Sequence, residues 1–233
     1  MRFRAVMFDV GETLVHPVPS FPELFASIVG ETGYARDADQ VVAASTAVRR
    51  RFSVASRAGV LWTLTPESSR AFWLEVYELM LTALDLPAAD GLREQLYAGF
   101  TDLTNYDLFD DVAAALDDLA GAGVTLGIVS NFEAWLDDLL GVLGVRDRFP
   151  VRVISGLEGM EKPDPRIYHL ALERAGTPAH ATAFVGDNPE FDVDPPAALG
   201  MFPVLIDRRE RFPDHAGARI TDLRDLLGLL DAA

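Results

Sequence analysis

The feature that most constrains this chain is a series of short apolar runs, each ending abruptly in a polar residue. Residues 3–8, 124–129, 151–154, 182–185 and 202–206 form five such runs, rich in β-branched and apolar side chains. A strand that is apolar on both faces must be covered on both faces. From residue 110 onward the runs alternate with helical patterns at 110–119, 133–143, 165–175 and 221–230. Strands alternating with helices predict an α/β fold built on a parallel sheet.

Residues 20–105 read differently, since no strand pattern occurs there. Apolar residues recur at helical spacing over 21–32, 38–57, 66–86 and 88–103, as at Phe72, Val76, Leu79, Met80 and Ala83. Pro66 near a helix start and Pro87 between two helices fit as punctuation. The spacing predicts an α-helical bundle inserted after the first strand. The run Arg49–Arg51 reads as a solvated helix face. Trp62, Trp73 and Trp135 read as packing residues, and the four histidines show no ligand spacing.

Composition removes whole classes of chemistry. Cysteine is absent, so disulfides, thiolate metal sites and thiol nucleophiles are excluded. A formal charge of −16 repels phosphate backbones and anionic lipid, which predicts neither nucleic-acid nor membrane partners. No stretch reaches the roughly 18 apolar residues a membrane helix needs, and the N-terminus does not read as a signal peptide. The expectation is a soluble, cytoplasmic protein, a monomer or homodimer. Of its 20 basic residues only one is a lysine, Lys162.

The polar residues that close the runs carry the chemistry. In order they are Asp9, then Ser130 and Asn131, then Ser155 with a loop reaching Lys162, then Gly186 and Asp187, then Asp207. In an open parallel sheet, ligands bind beyond the carboxyl ends of the strands. Any one of these residues alone reads as a cap or turn residue. Together on one sheet edge they describe a site for a dianion. Neighbouring carboxylates repel, and Mg²⁺ relieves that repulsion while binding phosphate oxygen. Asp9 can give one oxygen to the metal and attack phosphorus with the other, forming an aspartyl phosphate. Ser130 can hold a transferring oxygen, and Lys162 can neutralise charge on nucleophile and phosphoryl group.

Four segments in order, FDVGETLV with Asp9 and Thr13, LGIVSN with Ser130, EKPDPRIY with Lys162 and VGDNPEFDV with Asp187 and Asp192, make the chain similar to the haloacid dehalogenase superfamily of phosphohydrolases. It resembles the subgroup whose helical cap follows the first motif. The resemblance spans nearly the whole chain. It implies a Rossmann-like core over 1–16 and 106–233, a movable helical cap domain over 17–105, and Mg²⁺ held by Asp9, the Gly11 carbonyl, Asp187 and Asp192. A small phosphorylated metabolite is the implied substrate, with Asn131 beside Ser130 at the phosphoryl group. Thr13 is expected to close the first-motif loop by hydrogen bonding.

One position departs from the family pattern. Its phosphatases carry a second Asp two residues after the nucleophile, where this chain has Gly11. That residue protonates the leaving oxygen and then activates water, help typically worth about 10² to 10⁴ in rate. Glu12 is the candidate replacement. Haloacid dehalogenases also lack this Asp, but their pattern lacks the acidic pair matched here by Asp187 and Asp192. Phosphonate hydrolysis needs a cap lysine, and the single lysine is already matched to the third motif. A phosphate-binding or regulatory protein with weakened turnover is the remaining alternative.

Overall fold

The structure, a computed structural model, describes residues 2–57, 61–88 and 90–233, without the side chains of residues 46, 47, 49, 50, 52–57 and 90. In chain order the elements are β1 (Ala5–Phe8), β2 (Val15–Pro17), α1 (Phe21–Glu31), α2 (Ala38–Arg57), α3 (Pro66–Ala83), α4 (Asp90–Thr101), β3 (Tyr106–Leu108), α5 (Val112–Gly121), β4 (Thr125–Ser130), α6 (Leu136–Val142), β5 (Val151–Ile154), α7 (Ser155–Glu158), α8 (Pro165–Ala175), β6 (Thr182–Gly186), α9 (Asp194–Ala198), β7 (Phe202–Ile206), β8 (Arg219–Ile220) and α10 (Leu226–Ala232). They fall into two compact units, Met1–Val15 with Leu108–Ala233, and His16–Asp107. No helix among the described residues is long and apolar enough to cross a membrane.

The first unit is the expected α/β fold. Its sheet has the order β5-β4-β1-β6-β7-β8, and every neighbouring pair is parallel. The sixth strand, β8, escapes a reading by periodicity because two residues carry no alternation. β2 and β3, which form a separate two-stranded sheet, have only three residues each. The last helix begins at Leu226, later than its pattern suggests, because residues Leu223–Asp225 form a 3₁₀ turn first.

Register explains why the strand ends meet. Phe8 lies opposite Ile128 on one side and Val185 on the other. Asp9 is therefore level with Val129 and Gly186, while Ser130 and Asp187 each extend one residue further. β1 is central, and the chain continues to β4 and β5 on one flank and to β6, β7 and β8 on the other. That reversal of strand order opens a crevice at the carboxyl edge. On one side of the sheet Met7, Val129, Val153 and Phe184 are sealed by Ile167, Tyr168 and Ala171 of α8. Asp164 caps α8, Pro165 opens it, and Gly176 ends it at a φ of 60°.

The second unit holds α1 to α4. Thr65 and Ser68 form a capping box at the start of α3, where Pro66 opens the helix. Aromatic pairs pack within it: Phe21 stacks on Phe100 at 4.9 Å and Trp62 on Phe72 at 5.0 Å between centroids. Of the Arg49–Arg51 run only the Arg51 side chain is described, and it pairs with Glu75 at 2.9 Å; the other two lie outside the described residues.

A clamp in the first unit fixes the loop after β1. The Arg208 guanidinium donates to the Thr13 carbonyl at 2.8 and 3.2 Å and to both oxygens of Asp111 at 2.7 and 2.9 Å. It also lies 3.9 Å from the Phe109 ring centroid. Asp111 accepts the Leu223 N–H as well, at 2.7 Å. Removing one partner of a buried pair strands the other charge, at a cost of about 3 to 5 kcal/mol. Arg208→Met is expected to lower unfolding free energy in urea by about 3 kcal/mol, and a change within error of zero would show the clamp to be dispensable.

Candidate active site

Asp9, one residue past β1, donates its backbone N–H to the Val185 carbonyl at 2.8 Å, so its main chain continues the sheet. Its carboxylate Oδ1 accepts two hydrogen bonds, from Lys162 Nζ at 2.7 Å and from Ser130 Oγ at 3.1 Å. Oδ2 has no hydrogen-bond partner among the described residues. Lys162 Nζ also donates to Asp192 Oδ1 at 2.7 Å and lies 5.6 Å from the Phe184 ring centroid. Lys162 is only 3% exposed. Burial alone favours the neutral amine, but Asp192 and Asp9 outweigh it and hold the ammonium above its ordinary pKa.

Asp192 sits in a single π turn, Pro189–Val193, a geometry common at functional sites. Its Oδ2 accepts the Asn188 N–H at 3.0 Å, and the Tyr168 hydroxyl donates to the neighbouring Phe191 carbonyl. Asp187 Oδ2 accepts from Arg211 Nη2 at 2.8 Å. One oxygen from each of Asp9, Asp187 and Asp192 can be chosen so that all lie within 4.8 Å of one another. Burial and the charge of Asp9 push Asp187 up to about 6, against the pull of Arg211. Burial also raises Asp192, against Lys162, and the charges of Asp9 and Asp187 add to the rise. The cluster thus carries more negative charge than its own cations neutralise. Hard oxygen donors at this spacing fit a small divalent ion such as Mg²⁺.

Asp9, Ser130, Lys162, Asp187 and Asp192 are therefore brought together, and others are placed differently from their reading in sequence. The Asn131 amide brackets the Lys162 backbone, accepting its N–H at 2.6 Å and donating to its carbonyl at 2.7 Å. Glu12, at a φ of 59°, directs its carboxylate to Arg209 Nη2 at 2.7 Å. The Thr13 hydroxyl is buried without a partner among the described residues, so it does not close the loop. Backbone bonds from Leu14 and Val15 to the Val10 carbonyl, at 2.8 and 3.0 Å, do so with Arg208. Gly11 bridges to Val15 within this turn. Sequence reasoning missed Tyr168, Arg209 and Arg211. The arginines belong to a short basic run, residues 208–211, whose only signal was its position after a strand.

The fold and its acidic, lysine-bearing edge define a hydrolase of the α/β class, and the comparison with known proteins narrows it. Residues 3–200 match the model of the haloacid dehalogenase-like hydrolases. The chain belongs to that family. It is 34% identical over 142 residues to the human haloacid dehalogenase-like hydrolase domain-containing protein 3, an alignment covering 60% of this chain and 57% of that one. It is 33% identical over 144 residues to phosphoserine phosphatase of Thermus thermophilus, covering 60% and 57%. Among solved structures, the magnesium-bound YfnB of Bacillus subtilis, assigned as a HAD-hydrolase, superposes with a TM-score of 0.77 at 19% identity over 99% of this chain and all of the other. Haloacid dehalogenases are also among the similar proteins.

Two glycines of the site differ in what they tolerate. A Cβ on Gly186 would lie 2.3 Å from Asp192 Cγ, whereas one on Gly11 would meet nothing within 4 Å. Asp192 is held at both oxygens and cannot retreat. Gly186→Ala is expected to cost about 1 to 3 kcal/mol in a denaturant titration, and Gly11→Ala less than about 0.5 kcal/mol. Equal costs would contradict the packing of Asp192 on Gly186.

Proposed function

We propose that this chain is a Mg²⁺-dependent phosphohydrolase acting on a small phosphorylated metabolite through an aspartyl-phosphate intermediate. The observation that carries the reading is Asp9, held at Oδ1 by Lys162 and Ser130 while Oδ2 has no partner among the described residues. A carboxylate fixed at one oxygen and open at the other is oriented to attack. The carboxylate cluster supports phosphoryl chemistry over dehalogenation, because a carbon–halogen bond needs no such set of acids. Phosphatases among the relatives, the phosphoserine phosphatase and a phosphoglycolate phosphatase of Xanthomonas campestris, lend the same support.

In this reading Asp9, the Gly11 carbonyl, Asp187 and Asp192 would hold the metal. When bound, Mg²⁺ supplies positive charge between the nucleophile and the phosphoryl oxygens. Asp9 forms a bond to phosphorus as the bond to the leaving oxygen breaks. Ser130 holds a phosphoryl oxygen, and Lys162 compensates the charge on the transferring group. Water then attacks phosphorus, releasing inorganic phosphate and restoring Asp9. Asn131 keeps Lys162 in place. The helical unit, residues 17–105 in this assignment, serves as the cap that selects the substrate.

The leaving oxygen must also receive a proton. Gly11 offers none, and the Glu12 carboxylate is engaged by Arg209 at 2.7 Å. These observations favour leaving groups that depart as anions. They also favour, as a second reading, a phosphate-binding protein with weakened turnover. Release of inorganic phosphate from an aryl phosphate with Mg²⁺ separates the two. Turnover that vanishes with EDTA and falls at least about 10³-fold in Asp9→Asn is expected; activity no higher than that variant would favour the binding protein.

The open space at Gly11 permits a sharper test. A Cβ at Gly11 meets nothing within 4 Å, and Gly11→Asp puts a carboxyl group two residues from the nucleophile. It is expected to raise turnover of an alkyl phosphate by about 10²-fold or more while changing an aryl phosphate much less. An equal effect on both esters would show that leaving-group protonation does not limit this enzyme.

A further inference from the structure

The loop between β7 and β8 supplies the site with charge from outside the family's matched region. Arg209 and Arg211 lie beyond residues 3–200. Arg211 donates from Nη2 to Asp187 Oδ2 at 2.8 Å, with its side chain 33% exposed. Its placement is built in. Asp207, fully buried at the end of β7, accepts the Arg211 N–H at 2.8 Å, the Phe212 N–H at 2.8 Å and Arg219 Nε at 2.9 Å. The Arg211 guanidinium lies 5.6 Å from the Phe212 ring centroid. One carboxylate thus pins both ends of a turn, and that turn delivers the arginine to Asp187.

The consequence lies in the distribution of charge. Lys162 bridges Asp9 and Asp192, and Arg211 pairs with the third carboxylate, Asp187. With both cations present, the cluster has one negative charge in excess. A divalent ion then leaves it with one positive charge, which attracts a phosphate dianion. Without Arg211, the same ion would meet two excess negative charges and leave the cluster neutral. We propose that Arg211 is a specificity-determining counter-ion of Asp187, one that weakens divalent-metal binding and strengthens binding of the phosphoryl anion to the loaded site. The proposal rests on the phosphohydrolase reading above.

The opposite sign of the two effects is its signature, since a merely structural role would weaken both. Isothermal titration of the full chain with Mg²⁺ alone, and with inorganic phosphate at saturating Mg²⁺, measures each. Arg211→Gln is expected to bind Mg²⁺ roughly three- to tenfold more tightly and phosphate roughly three- to tenfold more weakly. Arg211→Lys, which keeps the charge, is expected to fall between the two in both measurements. Arg224→Gln, which removes an arginine paired with Asp222 on the surface, is expected to leave both affinities unchanged. If Arg211→Gln moves both affinities in one direction, or neither, the counter-ion role is overturned while the phosphohydrolase reading stands. If the unaltered protein binds no Mg²⁺, both fall together.

Discussion

A buried ammonium between two carboxylates is the interaction on which the site depends. Lys162 lies within 2.7 Å of both Asp9 and Asp192, which come from opposite ends of the sequence. Burying an unpaired ammonium is prohibitive, so the lysine and the acids are tolerable only together. The surroundings serve that requirement. Asn131 fixes the lysine backbone, the Phe184 ring lies beneath its head group, and the Tyr168 hydroxyl anchors the turn that carries Asp192. Register does the rest, since a slip of one residue between β1 and β4 would separate Asp9 from Ser130.

Much of this was legible in the sequence because strand ends are conspicuous. The five apolar runs correspond to β1, β4, β5, β6 and β7, and the polar residues after them do reach one edge. Lys162 stood out as the only lysine. What stayed hidden depends on side-chain direction and on elements too short for periodicity. Asn131 and Ser130 are adjacent in sequence, yet one grips a backbone and the other a carboxylate. Thr13 lies in a hydrogen-bonded turn, but it is the carbonyl, not the hydroxyl, that is engaged. The basic run after β7 matches no motif in the sequence, and the two-residue strand β8 and the Asp207 carboxylate give it direction.

That basic run bears on the chain's charge. A formal −16 sets up a field that repels polyanions, yet the reaction proposed above requires a small anion to bind. Local placement resolves the conflict. Arg208 fixes the first-motif loop, Arg209 pairs with Glu12 and Arg211 with Asp187, all within four consecutive residues. Glu12 and Asp187 are thus each paired with an arginine, while Asp9 and Asp192 share Lys162, so the edge keeps part of the global excess of negative charge.

Such countering also bears on the missing acid at Gly11. A carboxyl group serves as a proton donor only if its environment keeps it protonated near the working pH. Glu12 instead faces the Arg209 guanidinium at 2.7 Å. The loop that reaches Asp187 through Arg211 thus also reaches, through Arg209, the acidic side chain next to Gly11. Under the proposed phosphohydrolase reading, residues 208–211 therefore bear on which leaving groups this edge can serve, from outside the residues 3–200 that match the family.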